Sequence, residues 1–256
     1  MINLKSVAQA MSSSATSTIS LWRGTSVRRE NIGKSFGGKP LTLYDMEGCP
    51  YCRLVREVLT ELDLDVNIIP TAKGDKKARA ALQAIGGKAQ VPYLIDDNNN
   101  QAMYDSFKII NYLNQNYGNG RYINPIRYKM RLASSMATTA LRPLRGIFFS
   151  GIHRPEQPLE LYSFESSPFA RLVRERLTEL GLPYKLHNLG KQQLSDMSPA
   201  TLRPILKPYQ PLPDSKRAAM NEALGRVQVP YLIDANTGTA MFESKDIIAY
   251  LDKNYA

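Results

Sequence analysis

Both cysteines of the chain lie in the tetrapeptide Cys-Pro-Tyr-Cys at residues 49–52. With two residues between them, the sulfurs of Cys49 and Cys52 can meet across one helical turn. A pair at this spacing can carry out thiol–disulfide exchange, because one thiolate attacks a disulfide and the other thiol resolves the mixed disulfide that forms. The cysteine pair is therefore the first candidate for chemistry in this protein.

A zinc site is one alternative for a Cys-x-x-Cys pair, but it needs two further ligands. The two histidines of the chain, His153 and His187, lie outside this region and lack the spacing of zinc ligands. We therefore expect no metal here. A pair of inert, buried thiols is the second alternative.

A strand followed by a helix is predicted around the cysteine pair. Residues 41–44 form an apolar stretch, and residues 51–62 carry Leu and Val at helical spacing. Cys49 would then lie at the N-terminal end of the helix, where unpaired N–H groups and the helix dipole favour a thiolate. Arg53, one turn further on, would add a positive charge, and Cys52 inside the first turn would act as the resolving thiol.

Five further elements are predicted after this helix. In chain order they are a strand at 65–70, a helix at 76–85, strands at 93–95 and 101–104, and a helix at 106–116. A parallel β-α-β unit followed by a hairpin and a helix gives a four-stranded mixed sheet covered by helices.

This order of elements occurs twice along the chain. Residues 41–57 match 159–175, and residues 90–96 recur as 228–234. The second copy is longer by about 20 residues, an insertion that a loop tolerates. Its predicted place is 196–213, where five prolines indicate an extended loop.

A Ser-rich stretch precedes each copy, because residues 12–24 recur as 134–146. We predict a helical lead-in to each repeat. Residues 1–29 also have the Ser- and Arg-bearing, acid-free composition of a transit peptide, which would direct the protein to a plastid or another organelle. Since the second stretch is internal and cannot be a cleaved signal, we favour the lead-in. A chain with two cysteines suits a reducing compartment, and we expect a cytoplasmic protein.

Two dipeptides in the first copy have binding potential. Val91-Pro92 is a candidate cis peptide, which would offer the Val91 backbone to an extended, peptide-like thiol, and an ordinary trans bond is the alternative. Asp105-Ser106 precedes the closing helix. The pair could simply cap that helix, or the helix N-terminus and the Ser106 hydroxyl could bind a carboxylate while Asp105 meets an ammonium group.

Taken together, Cys-Pro-Tyr-Cys after a strand, Val-Pro before one, and an acid followed by Ser resemble glutaredoxins and the N-terminal domain of glutathione transferases. The resemblance covers residues 41–117 and again 159–255, as in proteins with tandem transferase N-terminal domains. It implies an α/β chain with two tandem thioredoxin-like domains, each with a four-stranded mixed sheet and an N-terminal helical lead-in. The implied segments are a lead-in at 1–38, a glutaredoxin-like domain at 39–118, a basic linker at 119–157 and a cysteine-free domain at 158–256.

Glutathione is the ligand that the resemblance implies. Its sulfur would lie near Cys49, its cysteinyl backbone on Val91, and its γ-glutamyl end on Asp105 and Ser106. The remaining residues of the implied binding set are Tyr51, Arg53 and Pro92.

The second repeat has Ser-Pro-Phe-Ala at residues 167–170 in place of the cysteine motif, so disulfide exchange is impossible there. Ser167 resembles the serine of transferases that stabilises a glutathione thiolate. The other counterparts of the first repeat's candidate residues are Val229, Pro230, Glu243 and Ser244. The alternative is a degenerate scaffold that packs against the first repeat.

We predict a glutathione-dependent thiol–disulfide oxidoreductase that acts through Cys49 and Cys52 on a disulfide-containing protein or small molecule. A glutathione transferase or isomerase is the first alternative. A non-catalytic glutathione-binding or protein-interaction adaptor is the second, and iron–sulfur ligation through Cys49 with glutathione is a further one.

The formal net charge is +10, and no acid occurs in residues 1–29 or 106–155. Such a basic linker favours contact with an anionic surface or membrane, and a merely solvated face is the alternative. Nucleic acid is not an expected partner, because no recognition motif accompanies the charge. No apolar run reaches the roughly 18 residues that a transmembrane helix needs.

Overall fold

The computed structural model describes residues 4–34, 36–198 and 209–256. The elements of the first half are α1 (Leu4–Ile19), β1 (Leu41–Asp45), α2 (Pro50–Glu61), β2 (Val66–Pro70), α3 (Lys76–Gly86), β3 (Tyr93–Asp96), β4 (Gln101–Tyr104) and α4 (Ser106–Tyr117). Those of the second half are α5 (Pro125–Leu141), β5 (Leu159–Ser163), α6 (Pro168–Leu180), β6 (Tyr184–Asn188), α7 (Lys216–Leu224), β7 (Tyr231–Asp234), β8 (Thr239–Phe242) and α8 (Ser244–Tyr255).

The elements of the first repeat agree with the predicted ones to within one or two residues. The C-terminal end of α3 is a clear case, since Gly87 adopts the left-handed conformation with φ 76° that closes the helix. The prediction of a proline-rich loop at 196–213 concerns mainly residues 199–208, which lie outside the described ranges. A short 3-10 turn, Leu194–Met197, overlaps the beginning of that segment.

The eight strands form one continuous mixed sheet in the order β4-β3-β1-β2-β6-β5-β7-β8. The prediction of a separate four-stranded sheet in each domain is therefore wrong. β2 and β6 are each the outer strand of their own half, and they pair antiparallel with Ile68 opposite Tyr184. This pairing satisfies the backbone N–H and C=O groups that an edge strand would otherwise leave free.

The two halves also share a core and a buried ion network. Apolar side chains of α2 and α6 pack with those of the central strands in one cluster. Arg56 on α2 pairs with Asp45 of its own half at 2.6 Å and with Glu165 of the other half at 2.9 Å. Arg174 on α6 pairs in turn with Glu47 of the first half at 3.0 Å. Because buried charges need partners, these pairs link the halves tightly.

Each repeat is covered by the lead-in helix of the other one. α1 packs on α6, α5 packs on α2, and the two lead-in helices pack against each other. The hydroxyl of Ser13 donates to the carbonyl of Pro168 at 2.7 Å, and that of Ser135 donates to Pro50 at 2.8 Å. The predicted lead-in helices are therefore confirmed as helices, and they are exchanged between the repeats.

Within the described ranges, no helix combines the length and the hydropathy that crossing a bilayer requires.

Candidate functional site

Cys49 occupies the junction between β1 and α2. Its N–H donates to the carbonyl of Met46 at 2.9 Å in a tight turn, and α2 begins at Pro50, the next residue. Proline suits a first helical position, because its missing N–H has no helical partner there. The sequence prediction that places Cys49 at the N-terminal end of the helix is confirmed.

The two thiols have unequal environments. Cys49 is 6% exposed and Cys52 is fully buried. A hydrogen bond from the Cys52 thiol lowers the pKa of Cys49, and the backbone N–H groups of Cys52 and Tyr51 act in the same direction against the effect of burial. Burial raises the pKa of Cys52 well above its usual range. The pair thus favours a thiolate at Cys49 and a protonated thiol at Cys52.

The support that Arg53 was predicted to give the thiolate stays a prediction. It is buried, and its charge acts on Glu57 and on Glu165 of the second repeat. It is not among the main influences on the pKa of Cys49. Arg53 lies on α2, where its charge acts on carboxylates at the boundary between the repeats. Tyr51, in contrast, is exposed beside Cys49.

The Val91–Pro92 peptide bond is cis, as predicted. The side chain of Val91 packs against Met46, Cys49 and Cys52 in a small apolar cluster. The structure therefore brings this dipeptide to the cysteine pair.

The residues 145–149, which we call the crossing segment, cover the cysteine pair. Gly48 donates its N–H to the carbonyl of Gly146 at 2.9 Å, and Ile147 packs against the cysteine cluster. The segment is held on its other side by Lys73, whose N–H donates to Ile147 at 2.7 Å. Sequence reasoning on the cysteine motif missed this cover. The recurrence of the lead-in was the available signal, but it does not say which repeat a lead-in covers.

Asp105 and Ser106 have protein partners of their own. The Asp105 carboxylate caps α4 by accepting from the N–H of Phe107 at 2.8 Å and of Lys108 at 3.3 Å. The hydroxyl of Ser106, which is buried, forms a 2.7 Å hydrogen bond with the phenol of Tyr128 on α5. The capping alternative is therefore realised, and a ligand carboxylate would have to replace these contacts.

Tyr128 is a candidate site residue that sequence reasoning missed. Burial raises its pKa, and the charges of Asp105, Tyr51 and Cys49 add to that shift. It therefore lies within electrostatic reach of both the thiol and the Asp105–Ser106 corner. The lead-in helix α5 thus takes part in the site of the first repeat.

The second repeat preserves the frame and differs in detail. Ser167 is buried and accepts from the N–H of Ala170 at 3.3 Å, so its hydroxyl serves as a helix cap. The Val229–Pro230 bond is cis, and Glu243 accepts from Gln228 at 2.5 Å. Ser244 is half-buried and has no hydrogen bond from its hydroxyl to any other part of the chain that the structure describes. The corner at Ser244 is therefore more open than that at Ser106.

No cluster of three or more His, Cys, Asp or Glu side chains able to hold a metal ion occurs among residues 4–34, 36–198 and 209–256. His187 lies between the carboxylates of Asp65 and Glu160, at 2.8 and 2.7 Å, on the β6 side of the sheet.

The family model for the glutathione S-transferase N-terminal domain matches residues 43–121 and 161–256. The chain belongs to this family. The match falls twice along the chain, so the predicted tandem of glutathione S-transferase N-terminal domains is confirmed, with an α/β thioredoxin-like fold.

Other comparisons add little to the family assignment of this tandem glutathione S-transferase N-terminal domain protein. No curated protein matches the chain. Among solved structures it is similar to Leishmania TDR1, described as a unique trimeric glutathione transferase. That similarity has 13% sequence identity and a TM-score of 0.30, and it covers 86% of this chain and 68% of the Leishmania chain.

Proposed function

We propose that the protein is a glutathione-dependent thiol–disulfide oxidoreductase with Cys49 as the nucleophile and Cys52 as the resolving thiol. The unequal pKa values of the two thiols carry this proposal. A lowered pKa favours the thiolate of Cys49 as the attacking group, and a raised pKa favours the protonated thiol of Cys52 before a mixed disulfide forms.

The reaction runs in two exchanges. The Cys49 thiolate attacks one sulfur of a substrate disulfide, forms a mixed disulfide, and releases the other sulfur as a thiolate that takes up a proton. Cys52 then loses its proton and attacks the Cys49 sulfur, which releases the second substrate thiol and leaves a Cys49–Cys52 disulfide. Two glutathione molecules reduce this disulfide and leave as oxidised glutathione.

Glutathione binding is proposed at the backbone of Val91 beside Pro92, with Tyr51 at its open side and Asp105 and Ser106 at its γ-glutamyl end. The packing of Val91 against Cys49 supports this placement. The substrate is a disulfide in a protein or small molecule, and the cytoplasm is the proposed compartment because its thiols are kept reduced.

The test is glutathione-coupled reduction of a small mixed disulfide. Cys49→Ser should lower the rate at least about 100-fold, since the thiolate supplies the nucleophile. Cys52→Ser should retain much of the rate with a glutathione mixed disulfide, because a second glutathione can replace the resolving thiol. Ser167→Ala, at the equivalent position of the second repeat, is the matched control and should leave the rate unchanged. Equal rates for wild type and Cys49→Ser would refute the proposal.

A glutathione transferase or isomerase is the second candidate, favoured by the family and by the open corner at Ser244. It predicts turnover of electrophiles that survives Cys52→Ser and falls with Ser244→Ala. Titration of glutathione into Ser106→Ala and Ser244→Ala would count the binding sites and assign each to a repeat.

A further inference from the structure

The lead-in helix α5 exposes large apolar side chains that an ordinary surface helix would bury, and it buries hydroxyl side chains. Its inner face packs Tyr128 and Leu132 against the core, and it also buries the hydroxyl side chains of Ser135 and Thr138 fully. Its outer face carries Ile126 and Met130, which are 73% and 69% exposed, followed by Leu141. A surface helix normally turns its apolar stripe to the core. Ile126, Met130 and Leu141 are therefore left exposed in the part of the chain that the structure describes.

The other lead-in helix, α1, shows the same arrangement. Ser13, Thr16 and Ser17 are fully buried, and the hydroxyl of Ser17 donates to the carbonyl of Ser166 at 2.7 Å. Met11, in contrast, is 68% exposed. The two recurring stretches thus share one pattern, in which hydroxyl groups are buried and large apolar side chains are exposed.

The outer faces of α1 and α5 form one surface, which we call the lead-in face. Both helices lie outside α2 and α6 and pack side by side, so their outer sides point the same way. The exposed large apolar side chains of the two helices are Val7, Met11, Ile19, Ile126, Met130, Met136 and Leu141, and Leu21, Trp22 and Leu144 are exposed in the turns that follow them. Single apolar residues are normal on a protein surface, but a set of this size on two neighbouring helices favours an interaction surface.

The charge around the lead-in face is positive. No acid occurs in residues 1–29 or 106–155, while Arg127 and Lys129 are exposed on either side of the apolar stripe of α5. The acids of α2 and α6 that contact the lead-ins are engaged with them: Glu57 pairs with Arg23, Glu61 with Arg28 and Glu175 with Arg142, and Glu179 accepts from the N–H of Gly146. Asp105 is the acid nearest the start of α5, and it caps α4.

We infer that the lead-in face docks on a lipid bilayer that contains anionic lipid, with α1 and α5 lying in the plane of the headgroups. An apolar stripe bordered by Lys and Arg is the pattern of an interfacial helix, because the stripe enters the acyl boundary while the basic groups meet the phosphates. A second copy of the chain fits less well, since two such faces would bring like charges together.

Trp22 makes the inference directly measurable. It is the only tryptophan of the chain and lies in the turn that follows α1, where it is 44% exposed. We expect vesicles of phosphatidylcholine with phosphatidylserine to bind the full chain at low salt and to shift its emission to shorter wavelength. Vesicles of phosphatidylcholine alone, or high salt, should weaken that binding strongly.

The double variant Ile126→Glu/Met130→Glu should lower partitioning to the anionic vesicles at least about tenfold, because two apolar anchors are lost. The matched control is Ile85→Glu/Leu194→Glu, which adds the same charge at exposed apolar positions outside the face and should keep most of the binding. Both variants should retain the thermal midpoint of unfolding, which circular dichroism can verify.

Three results would overturn the inference. One is no binding to anionic vesicles at low salt, and another is an equal loss in both double variants. The third is association with soluble polyglutamate or with a second copy of the chain, measured by sedimentation, in the absence of any binding to vesicles.

Discussion

Gly48 donates its backbone N–H to the carbonyl of Gly146, 2.9 Å away. This bond holds the crossing segment over the cysteine pair. The segment leaves no room for a side chain at residue 48. A Cβ on Gly48 would lie 2.5 Å from the carbonyl oxygen of Arg145 and 2.5 Å from a side-chain carbon of Ile147. The glycine therefore permits the close approach that leaves Cys49 almost inaccessible.

Gly48→Ala should lift the crossing segment and speed the alkylation of Cys49 by iodoacetamide. Overpacking of this kind costs about 1–3 kcal/mol, which corresponds to roughly a 5- to 150-fold larger open population. Ser166→Ala is the matched control, because the equivalent position of the second repeat already carries a side chain. An alkylation rate that does not change in Gly48→Ala would show that the segment does not govern access.

Cys52→Ala should move the pH dependence of Cys49 alkylation to higher pH. In the wild type the Cys52 thiol lowers the pKa of Cys49, so the rate rises with pH at values below those of an ordinary thiol. Alanine fits sterically, since Ala170 occupies the equivalent buried position of the second repeat. In Cys49→Ala the remaining thiol should react only at high pH, because burial raises the pKa of Cys52. Superimposable profiles for wild type and Cys52→Ala would contradict the thiol–thiol hydrogen bond.

Glu165→Gln should lower the free energy of unfolding by about 3–5 kcal/mol, the usual effect of breaking a buried ion pair from one side. Glu165 contacts both Arg56 and Arg174, so the substitution leaves two buried guanidinium groups with too little negative charge. Urea unfolding measures the loss, with the exposed Glu222→Gln as control. Because the network joins the repeats, wild type should unfold in one transition. Two separate transitions would contradict this linkage.

Asp96→Asn should remove part of the acid sensitivity of the fold. Burial opposes ionisation of Asp96, but hydrogen bonds from Tyr112 and Tyr117 outweigh it and lower its pKa to about 2. A pKa below the unfolded value stabilises the fold at higher pH, and that contribution is lost as the pH falls from about 4 to about 2. The variant should be about 2–3 kcal/mol less stable at neutral pH, since charge-assisted hydrogen bonds are lost.

The control for that change is the exposed neighbour, Asp97→Asn, which should behave as wild type in an acid titration followed by circular dichroism. Asp234→Asn should copy the effect in the second repeat, because Tyr250 and Tyr255 donate to Asp234 at 2.6 and 2.5 Å. Equal stability of Asp96→Asn and Asp97→Asn at neutral pH would rule out the proposed role of the tyrosines.

The local features of the site could be predicted from the sequence, but the relations between the repeats could not. The place of Cys49 follows from an apolar strand and a helical period that flank it. The joined sheet has no such signal, because β2 and β6 alternate buried and half-buried residues in the same way that an unpaired outer strand does. The exchange of α1 and α5 could not be predicted from hydrophobic periodicity, for a further reason. Their Ser and Thr residues pack inward on backbone carbonyls, so the apolar stripe indicates the wrong face.

The exchange of lead-in helices has a consequence for the origin of the chain. Two identical units that trade a terminal helix form a closed, symmetric dimer. Joining such partners end to end gives one polypeptide in which α1 covers α6 and α5 covers α2. Either half, expressed by itself, would carry a lead-in helix that cannot cover its own repeat and would complete its surface by exchanging helices with a second copy. The present chain thus has the arrangement of a helix-swapped homodimer joined into one polypeptide, in which only one of the two equivalent positions carries thiols.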